Sequence, residues 1–157
     1  MAIEIGKKAP AFKAMASGDK EISLKDYEGK WLVLYFYPKD NTSGCTKQAC
    51  GFSESIKQFE KLDAEILGVS PDSVKSHDNF KEKHNLQFDL LSDPEKEIAA
   101  KYDAYGEKSM YGRKYMGIIR STYIIDPKGK IAAEYKKVKV SGHVEKVMKD
   151  LEELKSK

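Results

Sequence analysis

Cysteine is nearly absent from this chain. Only Cys45 and Cys50 occur in 157 residues, which excludes a scaffold stapled by several disulfides. Histidine is as sparse: His77, His84 and His143 are scattered and match no familiar ligand spacing with the cysteines, which argues against zinc, and no pattern calls for a cofactor. Arginine is limited to Arg113 and Arg120, although Lys and Arg together number 28. Lysines and acidic residues alternate without a long basic block, so the net charge of +3 carries no nucleic-acid signature. Long apolar runs are missing too. The first eight residues lack a signal-peptide core and no stretch reaches bilayer length, so the expectation is a cytoplasmic protein that engages no membrane. Repeats, low-complexity tracts and long linkers are absent. With 40% hydrophobic and 34% charged residues, a chain of this length is expected to form one domain, 1–157, around a substantial core.

What is present concentrates in one segment. The apolar run 31–37 reads as a buried strand, and Pro38-Lys39-Asp40-Asn41-Thr42-Ser43-Gly44 as a loop that opens a helix. Cys45 then falls in the first helical turn, where unpartnered backbone N–H groups and the positive end of the macrodipole favour negative charge on sulfur. Cysteines so placed have pKa values lowered from about 8.5 into roughly the 3.5–7.5 range, and the thiolate is the nucleophile. Thr42, three residues earlier, can bring its hydroxyl near this sulfur or serve as the helix N-cap.

The spacing of the two cysteines matters as much as their presence. Cys45, Ala49, Phe52, Ile56 and Phe59 recur at helical intervals, so Cys45 heads the core-facing stripe and Phe52 is a core residue. Cys50 lies about 140° round and about 7.5 Å further along an ideal helix, which separates the two Cα atoms by roughly 8.7 Å. A disulfide reaches only about 7 Å, so joining them requires the first turns of the helix to unwind.

The pattern Pro38-x-x-x-Thr42-x-x-Cys45 resembles the active-site motif of the peroxiredoxins. Gly44-Cys45-Thr46-x-x-Ala49-Cys50-x-Phe52 resembles their bacterioferritin comigratory protein (PrxQ) subgroup. The likeness runs from Gly6-x-x-Ala9-Pro10-x-Phe12 through Arg120-Ser121-Thr122-Tyr123-Ile124-Ile125-Asp126 to the C-terminal helix. One departure is Ser43, where many relatives carry Pro; it removes no reacting group. The resemblance implies a thioredoxin-like fold with peroxiredoxin additions and a thiol-dependent peroxidase acting on hydrogen peroxide and organic hydroperoxides. It makes Cys45 the attacking thiolate, Cys50 the residue that resolves the sulfenic acid as an intramolecular disulfide, and a thioredoxin-like dithiol the recycling partner. It also implies that Arg120 reaches the sulfur from a neighbouring strand, that Pro38 shields it from water, and that the protein is a monomer. Arg120 is chemically suited, since its rigid fork of donors can contact sulfur and oxygen together. Arg113, in a glycine-containing loop, reads as solvated.

The rest of the pattern predicts a hairpin over 12–24, a helical turn at 24–27, and one long helix over 43–62. It continues with a strand at 64–69, a helix at 73–84, a strand at 88–91 and a helix from 94 or 95 to 102. An irregular loop is expected over 103–117, then a hairpin of 118–125 and 131–136 and a closing helix over 144–154. A parallel βαβ unit with a terminal hairpin makes a central mixed β-sheet flanked by helices, an α/β fold. Three other functions stand against this one. A thiol–disulfide exchange enzyme is disfavoured, because those place Cys-x-x-Cys at the helix start. A chaperone or scaffold has no dedicated feature, and no histidine lies near Cys45 in sequence to act as the base of a cysteine protease.

Overall fold

The computed structural model describes residues 3–156. Strands β1 (Lys13–Ala16) and β2 (Lys20–Ser23) turn back on each other at Gly18 and Asp19, whose φ values of 77° and 54° suit glycine and a short polar side chain. A 3-10 turn over Leu24–Tyr27 follows, with the Asp26 carboxylate accepting from the Ser23 N–H at 2.8 Å. Strand β3 (Trp31–Phe36) is buried in five of its six residues because both faces of the sheet are covered.

The single helix expected over 43–62 is two, α1 (Ser43–Glu54) and α2 (Ile56–Lys61). Ser55 separates them at φ −96° and ψ 7°, with its N–H shared between the carbonyls of Gly51 and Phe52. The apolar stripe runs on through this break. Cys45, Ala49, Phe52 and Phe59 are buried and Ile56 is partly so, which is why periodicity alone reads one continuous helix.

Strand β4 (Ala64–Ser70) lies parallel to β3. Helix α3 (Val74–His84) begins at Ser73, whose hydroxyl accepts from the Ser76 N–H, and ends at Asn85 in the left-handed region. Strand β5 (Asp89–Ser92) pairs parallel to β4. Helix α4 (Glu97–Lys101) is shorter than expected, since Lys96 takes φ 59° and the Asp93 carboxylate receives the N–H groups of Ile98 and Ala99.

The expected loop over 103–117 is instead a hairpin of β6 (Tyr105–Met110) and β7 (Arg113–Ile118). Tyr111 and Gly112 both take positive φ, 52° and 77°, so a two-residue turn joins the strands. Among the described residues these strands pair only with each other, and much of their surface is exposed, so they lack the apolar alternation that marks a strand in sequence. Because Ile118 belongs to β7, the next strand is shortened to β8 (Ser121–Ile125), and Arg120 sits just ahead of it. Strand β9 (Ile131–Tyr135) and helix α5 (His143–Lys155) complete the chain.

Seven strands form a mixed sheet in the order β2-β1-β5-β4-β3-β8-β9, with an apolar cluster on each face. The alternation of β3 divides them: Leu32, Leu34 and Phe36 enter one cluster, and Val33 and Tyr35 the other, together with Cys45, Ala49 and Phe52 of α1.

Candidate functional site

The site forms where β3 ends. Beyond Phe36 the chain leaves the sheet through Tyr37 and Pro38 and enters α1 at Ser43. Strand β8 runs antiparallel to β3 with Phe36 opposite Ser121, so the residue before β8 arrives at the same edge. That residue is Arg120. Its Nη2 donates to the Cys45 Sγ at 3.1 Å and its Nη1 to the Gln48 Oε1 at 2.5 Å. Cys45 is 1% exposed and Gln48 is buried one helical turn further on, so a single face of α1 holds both the thiol and the group that orients the guanidinium. Gly44 lies against this guanidinium: a Cβ there would sit 3.4 Å from Arg120 Nη2, in ordinary van der Waals contact.

Thr42 and Pro38 lie in the loop that leads into the helix. Pro38 is half-buried and Thr42 exposed. Thr42 occupies the N-cap position with extended backbone, but its hydroxyl donates to the Lys39 carbonyl at 2.8 Å and makes no side-chain cap bond. The hydroxyl hydrogen is therefore committed, and the lone pairs on Oγ1 remain to accept.

Cys50 is not brought to Cys45. Both are free thiols within the unbroken helix α1, where five residues correspond to a Cα separation of roughly 8.7 Å. Burial, followed by the negative charge of Glu54, pushes the Cys50 thiol above its ordinary range. Cys50 is thus held as the neutral thiol while the helix is intact.

Two contributors escaped the sequence reading. Gln48 stands three residues after Cys45, a spacing that places the two on one helix face, and this was the available signal. Lys108 of β6 belongs to the same electrostatic neighbourhood: burial and then the Arg120 charge lower its pKa, with Cys45 acting in the opposite sense. No signal in sequence pointed to Lys108, because the hairpin that carries it reads as a loop. Arg113, at the start of β7, is exposed, as expected.

An electrophile that reached Cys45 would meet sulfur and a guanidinium together at a mostly enclosed helix start. Such a site favours negative charge as it develops on sulfur and on a departing oxygen. Comparison with known proteins points the same way. Residues 5–134 match the AhpC/TSA family. The chain is 48% identical to Peroxiredoxin Bcp of Bacillus subtilis over 157 residues, covering 100% of both chains. A putative peroxiredoxin bcp of Coxiella burnetii is 48% identical over 148 residues, 94% of this chain and 98% of that one. Among solved structures, Peroxiredoxin Q of Xanthomonas campestris superposes with a TM-score of 0.89 at 41% identity, covering 94% of this chain and 96% of that one. A bacterioferritin comigratory protein from the same organism, described with alkyl peroxide reduction activity, gives 0.89 at 40% identity over 95% and 98% of the two chains.

Proposed function

The chain belongs to the AhpC/TSA family as a thioredoxin-fold peroxiredoxin of the Bcp/PrxQ type, a thiol-dependent peroxidase, and from that premise we propose how its residues divide the reaction. Cys45 attacks the terminal oxygen of a hydroperoxide. The S–O bond forms as the O–O bond breaks, the peroxide's own proton passes to the other oxygen, which leaves as water or an alcohol, and the oxidised sulfur takes up a proton from solvent to give the sulfenic acid. The observation that carries this reading is the 3.1 Å contact from Arg120 to the Cys45 sulfur at the first turn of α1. Arg120 donates to the sulfur and to the leaving oxygen as negative charge builds there. Thr42, with its own hydrogen held by Lys39, accepts from the peroxide O–H and orients it. Pro38 limits access of bulk water.

The second half needs movement. Unwinding of the first turns of α1 brings Cys50 to the sulfenic acid, and the two condense to a disulfide with loss of water. A dithiol of thioredoxin type then reduces the disulfide and is itself oxidised. Because both sulfurs come from one helix, no second subunit is required, which supports a monomer working as one domain. Cytoplasmic reducing power would sustain the cycle, and no helix among the described residues is long and apolar enough to cross a membrane.

The decisive experiment is a quenched intact-mass measurement after reduced protein meets one equivalent of hydrogen peroxide. Rapid loss of both thiols, with the mass falling by two hydrogens, is the expected result. Retention of both thiols on the slow timescale of free cysteine overturns the reading.

A further inference from the structure

The loop over 37–42 that carries Pro38 and Thr42 is held from behind by side chains that touch neither sulfur nor the proposed peroxide position. Asp40 is 4% exposed, and its carboxylate accepts from the Tyr37 hydroxyl at 2.5 Å and the Ser76 hydroxyl at 2.8 Å. It also lies 2.7 Å from Nδ1 of His77, which is completely buried, while Nε2 of that ring lies 3.0 Å from the Leu91 carbonyl. Both ring nitrogens face acceptors. With these contacts each buried polar atom of the group has a partner.

A second carboxylate holds the backbone of the same loop. The Asp40 N–H donates to Asp72 Oδ2 at 2.8 Å, an oxygen that also receives the Ser70 hydroxyl at 2.6 Å. The Asp40 N–H and the Lys39 C=O belong to one planar peptide unit and point in opposite directions. On the far side of that plane the Lys39 carbonyl accepts the Thr42 hydroxyl at 2.8 Å. One rigid peptide is thus fixed at one edge by Asp72 and presents its other edge to Thr42. Asp40, Asp72 and His77 also lie within 4.8 Å of one another, a spacing open to a cation. The O–H and N–H donors already directed at those oxygens favour a positioning network over a metal site.

We infer that Asp72, Asp40 and His77 are positioning residues for peroxide reduction, fixing the Lys39–Asp40 peptide and through it aiming the Thr42 hydroxyl. The inference rests on the reading of Thr42 as the group that accepts from peroxide. It separates residues that react from residues that aim, and it assigns a purpose to two of the three positions between Pro38 and Thr42. Lys39 supplies the carbonyl and Asp40 the anchor.

The test is a double-variant cycle on the full chain, with two rates measured for each protein: oxidation of Cys45 by hydrogen peroxide in quenched flow, and alkylation of Cys45 by iodoacetamide. Thr42→Val and Asp72→Ala are each expected to slow oxidation by about 10- to 100-fold, the scale of a small misplacement of a reacting group, and to leave alkylation near the wild-type rate. The double variant is expected to be no slower than Thr42→Val alone, because both changes remove the same aimed hydroxyl. Asp72→Asn, whose amide oxygen can still accept from the Asp40 N–H, is expected to recover most of the rate. Should Asp72→Ala not fold, Asp40→Asn takes its place in the cycle. Losses that multiply in the double variant, or fall equally on alkylation, overturn the inference in favour of a purely structural role. Wild-type oxidation in Asp72→Ala beside a slow Thr42→Val overturns the network alone, whereas wild-type oxidation in Thr42→Val overturns the Thr42 reading and the inference with it.

Discussion

Arg120 is the side chain that contacts the reacting sulfur and is proposed to stabilise the departing oxygen. Its two terminal nitrogens are spent differently: one on the sulfur at 3.1 Å, the other on Gln48, which fixes the plane of the fork. Lysine at this position would keep the charge and lose the fork. Arg120→Lys is therefore expected to fold normally and to react with hydrogen peroxide about 100-fold more slowly, the usual scale for loss of one donor to a developing oxyanion. Stopped-flow oxidation beside a circular-dichroism melt checks both halves. Arg120 was singled out by the resemblance to the peroxiredoxin pattern, whereas nothing in the type of Gln48 signals a partner 72 residues away, just ahead of β8. Cys50 gives a complementary prediction. Cys50→Ser is expected to leave the first oxidation of Cys45 unchanged and to abolish turnover with a dithiol reductant. Its intact mass should rise by one oxygen atom and, as peroxide continues, by more. Normal turnover in that variant would remove Cys50 from the cycle.

At the scale of elements, α1 must be stable enough to hold Cys45 against Arg120 and weak enough to release it. The helix lacks an acidic residue in its first turn and has no side-chain cap bond from Thr42, and it ends at the irregular Ser55. Against these, the Phe52 ring stacks 5.0 Å from Tyr35 and anchors the middle of the helix to the sheet. Fraying from the first turn is the expected route, with Phe52 retained as the anchor. Amide exchange by mass spectrometry should accordingly show lower protection over 43–50 in the disulfide form than in the dithiol form, with α2 little changed. Equal protection in the two forms would refute the unwinding step. The expectation of unwinding comes from the five-residue cysteine spacing and depends only on helix geometry. The break at Ser55 was not legible in sequence, because the apolar stripe passes through it. The β6–β7 hairpin was hidden for the opposite reason: apart from the buried Ile118 its strands are largely exposed and carry no apolar alternation to read.

At the scale of the whole molecule, the mixed sheet was readable because buried strands such as 31–36 and the turn at 126–129 are strong local signals. The docking of α5 beside the site was not, since it depends on contacts between segments far apart in the chain. His143, the first residue of α5, lies 2.9 Å from the Thr122 hydroxyl of β8 and packs edge-on against Phe52 of α1. One imidazole thus touches the sheet, the active-site helix and the terminal helix. Burial first, and then the Arg120 charge, lower its pKa from 6.5 to about 4, with Glu145 opposing. In the unfolded chain the ring takes up its proton near 6.5. Between there and about 4 the unfolded state therefore binds more protons than the folded one, and stability must fall as pH falls through that window. Above it the contribution of neutral His143 is fully present. Carboxylates titrate nearby, so the total slope mixes several groups, and Asp89 adds its own loss at lower pH. Burial would raise its pKa, but hydrogen bonds from Lys20 and Lys81 more than offset this and hold it below its ordinary value. The comparison that isolates the histidine is wild type against His143→Gln, which can still hydrogen-bond Thr122 and does not titrate. Urea midpoints measured from pH 7 to pH 4 should converge as pH falls, with the wild type losing stability faster than the variant. Parallel curves would mean that His143 does not titrate differently in the folded and unfolded states, and that the three elements meeting at this ring are not linked to pH through it.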